Sequence, residues 1–316
     1  MKSFFHLYQR YAKLAAAEAL AVTSGKKIAL LGDEILIASV PHAQFSRLGL
    51  SHAAFEFLFV CKKSQLRAAI ARCNFQKHYR VNFKVTAHHA DAETEREIAH
   101  QVANRIKNSR AEMKTPKSWF HFFFIGDKVV AGKLLWQNHE DFESRKVHRW
   151  PAPHPTGTHP QLARAMINLI GIERGELVDP FCGAGGTLIE AGLMGLKPIG
   201  YDIAPELLAK AAKNLEGYGV KSYKLAKKDA RTLSGKIAYL VADLPYGRNT
   251  SPHGLSELYA AFLARLHHVL QGKAVLGFPS TVKYKPLLKK AKLNIVDEFE
   301  WGINRNLKKN IVVVSA

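Results

Sequence analysis

A chain of 316 residues, 47% of them hydrophobic, has the length for two or three domains with cores of their own, and excludes a disordered protein. Its formal net charge of +20, from 46 Lys+Arg against 26 Asp+Glu, points to an anionic partner, nucleic acid first, over a basic surface kept for solubility. Cys61, Cys73 and Cys182 form no CxxC pair, the 15 histidines have no metal-ligand spacing, and no apolar run reaches membrane-spanning length. Together these exclude a disulfide framework, speak against a metal site, and lead us to expect a cytoplasmic protein away from membranes.

In chain order, the first third reads as mixed α+β. A strand at 3–7 leads to a helix at 11–22, which Ser24-Gly25 ends. Lys13 and Glu18 break the alanine-rich run of that helix, predicting an amphipathic helix laid on a sheet. Residues 27–31 and 35–40 predict a hairpin about Gly32-Asp33. A helix or strand follows at 51–60 and a helix at 63–71. The next section starts near Tyr79, with a strand at 80–87. Asp91 opens a helix with Glu93 and Glu95 in its first turn, as the helix dipole favours. Strands at 119–124 and 128–136 turn at Gly126-Asp127. Pro151, Pro153, Pro155 and Pro160 forbid regular helix and mark a linker over 150–160. A helix at 161–170 follows. From Leu177 strands alternate with helices, which argues for a parallel sheet covered on both faces. The strands are expected at 177–181, 198–203, 222–228, 237–243, 273–279, 293–301 and 309–315. The last two are joined by a turn at 302–306 without a helix, an antiparallel hairpin.

Two segments of this second half carry chemistry. In Asp179-Pro180-Phe181-Cys182-Gly183-Ala184-Gly185-Gly186 a buried strand ends in a carboxylate. The glycines behind it allow close backbone approach, at the strand end where doubly wound sheets bind ligands. A carboxylate in front of the glycines repels a pyrophosphate and suits a cationic amino-acid head. Asp202 ends the next strand and can accept both hydroxyls of a ribose, or cap the following helix, or do both. Ile203 can lie on an adenine face. Asp229 can accept from the adenine amino group, with the Ala230 amide reaching a ring nitrogen. Asp243-Leu244-Pro245-Tyr246-Gly247 ends the fourth strand. An exocyclic amine on a purine is a poor nucleophile because its lone pair is delocalised into the ring. Two acceptors on its N–H bonds, the Asp243 carboxylate and the Leu244 carbonyl, free that lone pair. Pro245 holds Leu244 extended, and Tyr246 offers a ring to stack on an extruded base. The plainer readings are a ligand-free strand-turn-helix and an Asx-type turn. Together the two segments suggest methyl transfer to an exocyclic amine.

The same segments, with His154-Pro155-Thr156-Gly157-Thr158-His159-Pro160 before them, resemble the archaeal tRNA (guanine-10-N2) methyltransferases. The likeness is strong over about 140–250. Arg305-Asn306-Leu307-Lys308-Lys309 matches loosely, and 1–150 fits by layout. The parallel sheet with its terminal hairpin is likewise the hallmark of the adenosylmethionine-dependent methyltransferase fold. The resemblance implies an N-terminal ferredoxin-like α+β domain at 1–70, a THUMP domain at 71–138 that grips tRNA, a linker at 139–160, and a Rossmann-like α/β class I methyltransferase domain at 161–316. It implies S-adenosylmethionine as cofactor, tRNA as partner, and N2-methyl- or N2,N2-dimethylguanine as product, with a monomer favoured. Asp243, Leu244, Pro245 and Tyr246 would be catalytic. Asp179, Phe181, Cys182, Gly183, Gly185, Gly186, Asp202, Ile203, Asp229 and Ala230 would hold the cofactor. Leu244 departs from the family's proline, which implies some lost rigidity and makes a second methylation less secure. Competing readings are a tRNA guanine-6 or ribosomal-RNA enzyme, a DNA amino-methyltransferase, and an RNA-binding protein with a dead catalytic domain.

Overall fold

The computed structural model describes residues 1–42, 44–75, 82–155, 157–246, 252–303 and 307–316. Contacts divide the chain into two compact units. One comprises Met1–Ala12, Thr23–Ser46 and Ser51–Asn138; the other comprises Lys13–Val22, Arg47–Leu50 and His139–Ala316.

The first unit is built on one eight-stranded sheet from β1 (Lys2–Leu7), β2 (Lys26–Leu31), β3 (Ile35–Ser39), β4 (Ser51–Lys62), β5 (Asn82–His88), β6 (Arg110–Ala111), β7 (Ser118–Ile125) and β8 (Lys128–Gln137), in the order β2-β3-β1-β4-β8-β7-β5-β6. The stretch left open between helix and strand at 51–60 is a strand. The short β6 had no sequence signal, and the first residues of the strand expected at 80–87 lie outside the described residues. Alternation along β7 shows why this segment is a strand: Phe120 and Phe122 point to one face, Phe123 to the other. The first two join Phe83, Val85, Ile98 and Val102 in one core, while Phe123 joins Phe4, Phe55 and Val130 in another. The first of these cores also takes in α2 (Leu66–Arg72) and α3 (Ala92–Ala103). Asp91 caps α3 by accepting from the Thr94 amide at 2.7 Å. The sheet runs unbroken across position 70, where one expected domain would end and the next begin.

The second unit holds seven strands: β9 (Glu176–Asp179), β10 (Lys197–Asp202), β11 (Lys224–Lys227), β12 (Ile237–Asp243), β13 (Leu270–Pro279), β14 (Asn294–Gly302) and β15 (Lys308–Ser315). Their order is β11-β10-β9-β12-β13-β15-β14. The first five run parallel, and β15 lies antiparallel between β13 and β14. This is the class I methyltransferase topology. Helices α5 (Gly186–Leu193), α6 (Pro205–Gly217), α7 (Pro252–Val269) and α8 (Tyr284–Lys290) fill the crossovers, and α4 (Pro160–Leu169) precedes β9. The strand order reverses between β9 and β12. A crevice for ligands opens at such a switch point, outside the carboxyl ends of the strands. Asp179 and Asp243 end those two neighbouring strands.

Two features of this unit differ from the sequence expectation. Within α1 (Ala12–Thr23), Glu18 does not mark a solvent face. It is fully buried and accepts from the Gly49 and Leu50 amides, each at 2.8 Å, and from the Asn168 amide at 2.7 Å. Three donors satisfy the carboxylate, so it can sit inside the unit. Burial is the largest influence on it and raises its pKa. The stretch read as a linker is also built into the unit rather than hanging free. Trp150 is buried among Cys182, Leu188 and Leu215, and the Asn214 side chain bonds both the Ala152 amide and carbonyl. Among the described residues no helix is long and apolar enough to cross a membrane.

Candidate active site

The site is assembled from the carboxyl ends of β9, β10 and β12 and the turns behind them. Gly185 precedes α5 with φ +93°, and a Cβ there would lie 3.2 Å from the Ala211 Cβ. Only glycine allows both the backbone angle and the close approach of α6. Asn214 reaches from α6 to the Ala184 carbonyl at 2.8 Å, fixing the glycine turn from behind. Gly183 also has positive φ.

Asp179 is buried and accepts from the Phe181 amide at 3.0 Å. Burial pushes its carboxyl up to about 7, against hydrogen bonds from Phe181 and Thr187, and nearby Asp243 and Asp202 push the same way. Phe181 sets its ring edge-on to Phe262 at 5.0 Å. Cys182 is a core residue: its thiol is buried, which raises its pKa, and its amide donates to the Tyr201 carbonyl.

Asp202 accepts from the Gly183 amide at 2.9 Å with one oxygen and from the Ala204 amide at 3.0 Å with the other. It therefore ties the glycine turn to β10. A carboxylate has about four lone-pair directions, so each oxygen retains one for a hydroxyl. Ile203 beside it is 66% exposed, an apolar surface with nothing yet lying on it. Ala230 is buried. Asp229 is less free than the sequence implied. It pairs with the Arg231 guanidinium at 2.6 Å and accepts the Arg231 amide at 2.8 Å, because its carboxylate turns back onto its own loop. Those bonds hold its pKa below the usual value.

Asp243 closes β12. Its Oδ2 accepts from the Thr158 hydroxyl at 2.6 Å and from the Lys309 ammonium. Its Oδ1 is buried and has no partner among the described residues. The buried Tyr246 hydroxyl is in the same condition, and burial, with the Asp243 and Tyr259 charges, raises the phenol's pKa. The Lys309 ammonium lies 5.5 Å from the Tyr246 ring centroid. Leu244 is fully buried, and its amide donates to the Gly277 carbonyl at 3.0 Å. The Pro245 carbonyl accepts from the Tyr259 hydroxyl. Gly247 and Arg248 of the motif, and Thr156 before it, lie outside the described residues. The structure thus brings the ends of β9, β10 and β12 together. It adds Thr158, Lys309 and Gly277, which sequence reasoning missed. Their traces in the sequence were Thr158 inside the segment 154–160 that carries the resemblance and a loosely matching Lys309 near the C-terminus.

Known proteins resemble the chain in sequence and in fold. Residues 148–309 match the family described as RMKL-like, methyltransferase domain. Residues 37–213 also match a family described as DNA methylase, a match that ends before Asp243. The tRNA (guanine(10)-N2)-dimethyltransferase of Pyrococcus abyssi is 36% identical over 202 residues, 60% of this chain and 61% of the relative. The chain therefore spans less than two thirds of that relative's length. The protein of the same name from Methanothermobacter thermautotrophicus is 28% identical over 280 residues, 85% of this chain and 83% of its own. Among solved structures, TrmN from Thermus thermophilus superposes with a TM-score of 0.53 at 17% identity, over 100% of this chain and 99% of that one.

Proposed function

The chain belongs to the RMKL-like methyltransferase-domain family and uses S-adenosylmethionine, and on that premise we propose that it methylates the exocyclic N2 amine of a guanine in tRNA, at position 10. The observation that carries this reading is the buried Oδ1 of Asp243, a hydrogen-bond acceptor held at the switch point with no donor among the described residues. Buried acceptors are almost always paired, and an amine N–H is the donor that this position suits. The relatives named tRNA (guanine(10)-N2)-dimethyltransferase support the base, the atom and the position, and the charge of +20 supports an RNA partner.

The residues present fit the cofactor. Gly183, Gly185 and Gly186 would admit its amino-acid end to the backbone, with Phe181 and Cys182 lining the turn. Asp179 would face its cationic head, Asp202 its ribose and Ile203 its adenine. The Asp229 carboxylate and the Ala230 amide would reach the adenine edge, Asp229 sharing its oxygens with Arg231. When bound, S-adenosylmethionine supplies an electrophilic methyl on a sulfonium. Asp243 Oδ1 and the Leu244 carbonyl accept from the two amine N–H bonds, localising the lone pair on nitrogen. Tyr246 stacks on the base, and Pro245 keeps Leu244 extended. The nitrogen gains the methyl and loses one proton to solvent. Preorganised acceptors and alignment supply most of the acceleration.

The test is methylation of unmodified tRNA transcripts by the full chain, with nucleoside mass spectrometry and mapping of the modified position. N2-methyl- or N2,N2-dimethylguanine at position 10 is the expected product. Methyl transfer confined to DNA, to ribosomal RNA or to guanine-6 would replace this reading. S-adenosylmethionine binding without transfer to any of them would leave an RNA-binding protein with an idle site.

A further inference from the structure

Among the described residues, Asp243 is held from one side only. Thr158, on the stretch before α4, and Lys309, on β15, both donate to Oδ2. They come from 85 and 66 residues away in the chain and converge on one oxygen of one carboxylate. Lys309 is 4% exposed, and a buried ammonium has to be paired. Across the ladder, Asp243 is in register with Gly277 of β13. A Cβ at Gly277 would lie 3.2 Å from Oδ1 and 3.1 Å from the Lys309 Cδ. The hydrogen of glycine thus keeps a carbon from crowding Oδ1, while both donors sit on Oδ2.

We propose that Lys309 is the positioning counter-ion of Asp243, and that with Thr158 it makes Asp243 a one-oxygen acceptor, which presents Oδ1 alone to the substrate amine. This rests on the reading of Asp243 as the amine acceptor. Two donors on Oδ2, one of them charged, stop the carboxylate from rotating. A carboxylate paired with an ammonium offers only acceptors. The ion pair further cancels a negative charge close to Asp179 and Asp202. Asp243 then does not compete with Asp179 for the cationic cofactor. The terminal hairpin, on this view, delivers a side chain to the chemistry as well as closing the sheet.

The experiment uses the full chain carrying Lys309→Met, Lys309→Arg or Thr158→Val, each also combined with Asp243→Asn. Turnover on tRNA transcripts is read against KM for RNA, with thermal unfolding as a control for folding. Lys309→Met should lower kcat by roughly 100-fold at an unchanged KM for RNA, the scale of losing one preorganised group. Thr158→Val should cost about tenfold, and Lys309→Arg should restore most of the loss. In the Asp243→Asn background, Lys309→Met should change the residual rate by less than about twofold, because coupled residues are non-additive. Calorimetry adds a readout that needs no RNA. Lys309→Met frees a negative charge and should favour cationic S-adenosylmethionine over the neutral S-adenosylhomocysteine by roughly threefold or more. In Asp243→Asn/Lys309→Met, which buries no unpaired charge, that preference should vanish. A wild-type chain inactive on tRNA would sink the substrate reading, while the calorimetric ratio would still decide on Lys309. An unchanged ratio, or an equal rate loss in the Asp243→Asn background, would overturn the counter-ion role.

Discussion

Leu244 stands where the resembled family carries proline, and the structure gives this departure a use. A leucine retains an N–H, which donates to the Gly277 carbonyl at 3.0 Å. The β12–β13 ladder therefore continues one residue past Asp243, into the motif itself. The rigidity expected to be lost with the proline ring is supplied by a hydrogen bond instead. Next to it, Asp243→Ala should cut turnover by at least ~100-fold, as losing a preorganised group does elsewhere, with cofactor and tRNA affinities little changed. Near-normal turnover of the purified variant would remove Asp243 from the chemistry. Asp179 invites a test by pH. Its carboxyl is raised by burial from an ordinary 3.8 to about 7, so the folded protein holds its proton where the unfolded chain releases it. The stability this confers is full below the ordinary value and is lost as pH rises through about 7. A cationic head beside Asp179 favours the ionised form. Affinity for S-adenosylmethionine should therefore increase between about pH 6 and pH 8, with a proton released on binding at the acid end. Calorimetry in buffers of different ionisation enthalpy measures this, and a flat profile would deny Asp179 that contact.

A buried ionic cluster holds the stretch before α4 against α4 and α5. Glu190 of α5 bonds Arg145 at 2.6 Å and Arg164 of α4 at 3.0 Å, and both arginines reach Glu140. Glu190 and Arg164 are almost wholly buried. The Phe142 ring lies under both guanidinium groups, at 4.8 and 5.2 Å. Proline content correctly excluded helix from 150–159, while Pro160 opens α4, but composition is silent on what an irregular stretch rests against. Here it rests on paired charges and on Trp150. Removing one partner from a buried network leaves the others uncompensated. Glu190→Ala should lower the stability of the full chain by about 3–5 kcal/mol, read from chemical denaturation. A loss below about 1 kcal/mol would mean the cluster is solvated and weak.

At the scale of the whole molecule, the second unit is not one contiguous stretch of sequence. Residues 13–22 and 47–50 belong to it along with 139–316, and Asn168 bonds both Glu18 at 2.7 Å and the Arg47 carbonyl at 2.8 Å. A fragment of residues 139–316 should therefore unfold at lower denaturant than the full chain and bind S-adenosylmethionine weakly. RNA affinity of the full chain should fall linearly in log K against log salt, the slope counting phosphate contacts. A fragment as stable as the chain, methylating tRNA as efficiently, would overturn the view that the first 138 residues carry the RNA grip. The expected domain limit at 70 came from layout, and the one at 160 from a proline-rich stretch. Layout cannot show that a helix near the N-terminus contributes its side chains to a unit that begins again at 139.

The sequence by itself determined the parallel sheet, its terminal hairpin, and the glycine turn and Asp-Leu-Pro-Tyr segment at strand ends. Those are local: strand alternation, a carboxylate before glycines, and an X-Pro bond act within a few residues, where spacing is directly visible. Tertiary structure alone decided what surrounds Asp243. Thr158, Lys309 and Gly277 reach it from distant segments, and nothing in their own neighbourhoods says that they meet Asp243. It also decided that Glu18 is buried. The physical reason is common to all: whether a charge is buried, paired or free depends on donors brought by folding, and one strand's register with the next is what brings them.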